Sequence, residues 1–117
     1  MTANDMIDEI VENLKSEILA DVAQADIFSE NLLVLKVKSA YREIKRARNY
    51  PPTYTEAWIE NDMENYYSNI QDLARYDYNA VGSEGMTQYS ADGTSIHYKD
   101  RDKLFYGVYP IGRKLDP

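Results

Sequence analysis

Three groups of residues in this chain could do chemistry. Ser95 and His97 stand two apart in "DGTSIHYK", on one side of any strand that carries them, with Asp92 in the turn before. These are the residue types of a nucleophile, a base and an orienting carboxylate. A working triad, however, draws its members from separate, rigidly held elements, and a hairpin tip offers no oxyanion hole. His97, the only histidine, is therefore read as exposed or interfacial, and no catalytic residue is assigned. Asp100 and Asp102 could touch a metal but lack the spacing of a calcium loop. Capping and surface ion pairing suit them better, and neither a metal nor a cofactor is expected. No Gly-rich phosphate loop, HExxH, cysteine cluster or GxSxG is present. The third group is cationic: Lys38, Arg42, Lys45 and Arg46 share one side of a helical pattern. That face could meet nucleic acid, but the chain carries a net charge of −7 and shows neither a helix-turn-helix nor interleaved basic and aromatic residues.

The elements that must carry these groups follow from periodicity. Ile7, Ile10, Val11, Leu14, Ile18, Val22 and Ala25 form one helical stripe, with Asn4 or Asp5 as the expected N-cap. Asp21 interrupts the stripe, so either the helix breaks there or Asp21 meets a positive partner. A second helix starts after Ser29 and buries Leu33, Val37, Ala40, Tyr41, Ile44 and Ala47, leaving the four cations on its far side. "YPP" at 50–52 stops it, and Arg46 and Arg48 suit its C-terminal dipole. A third helix, capped by Thr53 or Thr55, aligns Ile59, Met63, Tyr66, Ile70, Leu73, Ala74 and Val81, and Gly82 ends it. From 55 to 81 it would be roughly 40 Å long. Asp77 lies on its apolar centre line. A carboxylate there needs a partner, either an arginine of the basic helix or amides after Gly82, and its role is read as structural.

The expected fold is mainly α: an antiparallel three-helix unit with a long third helix, then a small β-hairpin and an extended tail, all in one domain. The helical core spans about 4–82 and the hairpin and tail about 83–117. Asp92-Gly93 is the hairpin turn, with Tyr89 opposite Ile96 or Tyr98. The 3.6-residue pattern ends at Val81, so the core is expected to be complete without the tail. The cluster Tyr89, Ile96, Tyr98, Phe105, Tyr106, Val108, Tyr109 and Ile111 then lies outside any predicted core and reads as an interface. Tyrosine, of which the chain has eleven, combines large contact area with a polar end.

The absence of cysteine rules out disulfides and thiolate zinc sites and fits a reducing compartment. No apolar run approaches the ~20 residues of a membrane span, and the acidic start does not resemble a signal peptide, so a soluble cytoplasmic chain is expected. Charge falls in blocks: residues 1–30 hold eight acids and one base, 31–50 six bases and one acid, and 51–82 six acids and one base. A basic helix between acidic neighbours suggests complementarity within a subunit or between copies.

The run from "LLVLKVKSAYREIKRARNYPP" through "YDYNAVGSEG", "SADGTS" and "DRDKLF" to the "P-I-G-R" ending resembles the small head–tail connector (adaptor, or head-completion) proteins of long-tailed bacteriophages and prophages of Gram-positive bacteria. The likeness covers roughly residues 30 to 113. It implies a mainly helical, non-catalytic structural subunit of the virion, assembled in the host cytoplasm. Such subunits form a ring under the portal protein, extend the DNA channel without sequence-specific binding, and present a surface to the next connector or tail protein. It also implies that hairpin and aromatic tail are assembly elements. The competing reading is a small helical module that binds one cellular protein as a monomer or dimer.

Overall fold

The computed structural model describes residues 1–82 and 100–111. All regular elements among them are helical: α1 (Ala3–Leu19), α2 (Val22–Ala25), α3 (Glu30–Arg48), α4 (Glu56–Met63), a 3-10 turn (Glu64–Tyr66) and α5 (Tyr67–Gly82). The expected hairpin, with Tyr89, Asp92, Gly93, Ser95, Ile96, His97 and Tyr98, lies outside the described residues.

Local signals account for most boundaries. Thr2, rather than Asn4 or Asp5, caps α1: its hydroxyl accepts from the Asp5 amide, and the Asp5 carboxylate accepts from the Thr2 amide. The helix does break before Asp21, whose carboxylate caps the single turn of α2. Ser29 caps α3, and Asn49 closes it in the left-handed conformation (φ 51°) ahead of the two prolines. Thr55 caps α4. The expected continuous third helix is interrupted at Glu64–Tyr66, where no proline or glycine announces the change.

Side-chain bonds give the helix directions. Glu9 pairs with Tyr67, Asn13 with Gln71, and Glu17 with Arg75, so α1 and α5 run parallel. Lys15 meets Glu30, the Ser29 amide donates to the Tyr78 hydroxyl, and Arg48 meets Asp62, so α3 runs opposite to both. This is the up–down–up arrangement that short connections favour. Met6, Ile10 and Leu14 of α1 interlock with Leu33, Val37 and Ile44 of α3 and with Met63, Ile70 and Leu73, all fully buried.

The core does not end at Val81. Residues 100–103 form one helical turn, and the segment to 111 lies along α3 and α5 as a strap. Val108 is buried in the main core, and Leu104 and Phe105 pack against it. Gly107 has φ 86°, a conformation that costs other residues more, and this turn lets Val108 point inward. The expectation of a core complete without the tail is therefore corrected. The strap's apolar residues have no shared period because irregular backbone and polar anchors, rather than a helical face, bring them to the core.

Candidate functional site

Two surfaces emerge from this arrangement. The first is the outer side of the strap, which is fixed at both ends. At its start the Arg101 guanidinium grips Asp77 with two bonds of 2.8 Å, donates also to Glu43, and lies over the Phe105 ring. The bond to Asp77 holds the Arg101 charge above its ordinary range against the opposing cost of burial, and Glu43 adds to it. Asp77 thus has an arginine partner, but from the strap and not from the basic helix. In the middle, Asn69 donates to the carbonyls of Leu104 and Tyr106 at 2.9 and 3.1 Å. At the far end Arg48 donates to the Tyr109 carbonyl at 2.8 Å, and the Ile111 amide donates to the Arg48 carbonyl at 2.6 Å.

Arg48 is itself buried. Its Nε donates to Asp62 at 3.0 Å, Tyr50 donates to the same carboxylate at 2.6 Å, and the guanidinium lies over the Tyr66 ring. Burial disfavours its charge, but the bonds to Tyr50 and Asp62 outweigh that and raise its pKa. Burial and the bond to Asp62 likewise push the Tyr50 hydroxyl upward.

Fastened this way, the strap sorts the expected interface residues. Tyr106 is 84% exposed and Tyr109 63% exposed. Phe105 and Ile111 are half-buried, and Val108 is buried. Val108 is therefore a core residue and not available to a partner, which corrects its place in the interface. Tyr89, Ile96 and Tyr98 fall outside the described residues, as do Asp92, Gly93, Ser95 and His97.

The second surface is the outward side of α3. Lys15, Arg48, Arg75, Arg101 and Lys103 each have a carboxylate within 4 Å. Lys36, Lys38, Arg42, Lys45 and Arg46 have none among the described residues, and all five lie on α3. The C-terminal end of this cationic face opens into a shallow cleft of about 490 Å³ lined by Arg42, Lys45, Arg46, Asn49, Tyr50, Pro51, Pro52, Tyr54 and Ile59. Beside it Trp58 stands edge-on to both Tyr50 and Tyr54, with ring centroids 6.2 and 4.7 Å apart. Basic and aromatic residues are thus adjacent in space although not interleaved in sequence. The double proline after the basic helix, flanked by Tyr50, Tyr54 and Trp58, is the signal that could have revealed this wall. Arg48, read only as a dipole partner, and Arg101 are the anchors that sequence reasoning missed.

Among the described residues no group of three or more His, Cys, Asp or Glu could hold a metal ion, and no helix is long and apolar enough to cross a membrane. No buried side-chain nitrogen or oxygen lacks a partner among these residues. No protein-family model, curated protein or solved structure matches the chain.

Proposed function

We propose that this chain is a structural subunit of a bacteriophage head–tail connector, forming a ring beneath the portal protein and passing DNA through its channel without reading its sequence. The observation that supports this most is the pair Tyr106 and Tyr109, held outward on a strap whose backbone and neighbouring side chains are anchored to α3 and α5. Aromatic side chains on a fixed backbone lose little entropy on docking, which suits an assembly surface. The likeness of residues 30–113 to connector proteins supports the same reading. A net charge of −7 on each subunit would keep DNA from adhering to a channel built from many copies. In this reading no acid–base or covalent step is assigned to Ser95 or His97, and the machinery needs no cofactor. The portal meets one face of the ring and the next connector or tail protein the other.

The α3 cations beside Tyr54, which have no carboxylate within 4 Å among the described residues, favour a second reading, a helical module that captures one acidic protein as a monomer or dimer. The test is to add the purified chain to DNA-filled, portal-bearing heads that lack it, and to image the portal vertex by electron microscopy. A ring of added density is expected. A chain that leaves the vertex bare while binding a host protein would favour the module.

A further inference from the structure

Two outward helix faces carry matching patterns. On α3 the exposed stripe begins with Leu35, 63% exposed, and continues through Lys38, Arg42, Lys45 and Arg46. On α1 the stripe opposite the core ends with Leu19, 44% exposed, and carries Glu12, Asp8 and Asp5 toward the N-terminus. Asp8 and Glu12 have no cation within ion-pair distance among the described residues. The spacing is the same on both. Leu35 stands seven residues before Arg42, and Leu19 seven after Glu12, about 10.5 Å in either helix. Four residues further, Arg46 follows Arg42 and Asp8 precedes Glu12.

We propose that copies of this chain associate head to tail through α1 of one and the outward face of α3 of the next, paired antiparallel, with Leu19 against Leu35, Glu12 against Arg42 and Asp8 against Arg46. A parallel pairing that joins the two leucines carries α3 from Lys36 onward past the end of α1 at Leu19, and leaves Arg42 facing Asp26 beyond the helix. Within α1 itself, only the antiparallel register matches the apolar step and both charge steps at once. It also carries the neighbour's first turn toward the cleft at Tyr50 and Tyr54. The contact uses different faces on the two partners, so it repeats from copy to copy and closes when the rotation permits. One helix pair buries less than the ~1,600 Å² of a stable two-body interface, so each contact is weak alone and gains from closure or from a template. The proposal rests on the ring reading above and names its lateral contact.

The chain has no cysteine, which makes the register directly testable. Leu19→Cys and Leu35→Cys chains, purified separately and mixed under mild oxidation, should give the mixed disulfide in roughly tenfold excess over either homodimer. Adding Arg42→Glu and Arg46→Glu to the Leu35→Cys chain should suppress the mixed product. Adding Asp8→Lys and Glu12→Lys to the Leu19→Cys chain should restore it with that same partner. Homodimers alone, or mixed disulfides indifferent to charge reversal, would overturn the contact. Heads that accept the wild-type chain while no mixed disulfide forms would remove this contact and leave the connector reading standing. Mixed disulfides from a chain that ignores portal-bearing heads would keep the contact and remove the connector reading.

Discussion

Asp77→Ala should release the strap while leaving the three-helix packing in place. Asp77 is 15% exposed and takes two bonds from Arg101, which is 25% exposed and retains Glu43 as a second partner. Truncating one side of a fully buried pair costs about 3–5 kcal/mol, and an exposed pair is worth under about 1. With both groups partly solvated and Glu43 still present, we expect about 2 kcal/mol. That corresponds to a roughly 30-fold larger population of the undocked strap, and to a melting temperature lower by roughly 8 °C for a domain of this size if undocking is coupled to global unfolding. Asp77→Asn keeps the shape and one acceptor and should cost about half as much. The assay is amide hydrogen exchange with thermal melting in parallel. The Val108 amide, bonded to the Phe105 carbonyl, and the Ile111 amide, bonded to the Arg48 carbonyl, should lose protection before Leu33 or Ile70 do. Combining Asp77→Ala with Arg101→Met should cost less than the sum of the two single changes. Unchanged exchange at Val108 and Ile111 in Asp77→Ala would refute the idea that this ion pair holds the strap.

Other expectations concern the same architecture. Ending the chain at residue 99 should destabilise the helices by several kcal/mol, because burial of Val108 alone is worth about 1.5–3 kcal/mol and Arg48 would lose an acceptor; an unchanged denaturation midpoint would contradict this. Gly107→Ala should cost about 1 kcal/mol from backbone conformation only, since a Cβ there meets nothing within 4 Å, and equilibrium unfolding measures it. Burial, with lesser contributions from Glu60 and Glu56, pushes the Tyr41 hydroxyl up to about 12 from 10.0. The unfolded chain therefore gives up this proton first, and stability should fall as pH rises from 10 to 12, by about 2–3 kcal/mol from this group. Tyr41→Phe should flatten that part of the profile relative to wild type in alkaline melts.

The helices were legible where pattern and cap agreed. Ser29, the stripe from Leu33 to Ile44 and the prolines after Tyr50 marked α3 at both ends, because a periodic face and a local stop signal are properties of contiguous residues. The break at Glu64–Tyr66 carries no such mark. Asp77 announced the need for a partner, since a carboxylate on an apolar line requires one, but Arg101 stands 24 residues away across the chain, beyond the reach of any local rule. The strap was misjudged for the same reason. Val108 enters the core through a glycine turn and is kept there by Arg48 and Asn69, groups whose sequence positions say nothing about where they meet. The cationic face was read correctly as exposed. Its aromatic edge was not foreseen, because Tyr54 and Trp58 join it only when the proline turn folds α4 back beside α3.

The central claim is that Tyr106 and Tyr109 form an assembly surface and are not parts of the fold. Tyr106→Ser with Tyr109→Ser should leave the melting temperature within roughly 2 °C of wild type, since both side chains lie in solvent. Buried aromatic anchors are commonly worth about 2 kcal/mol or more each to an interface. Electron microscopy of particles assembled with this variant should therefore show DNA-filled heads without tails, or heads that have leaked. Normally joined particles, made with a folded double variant, would contradict the account.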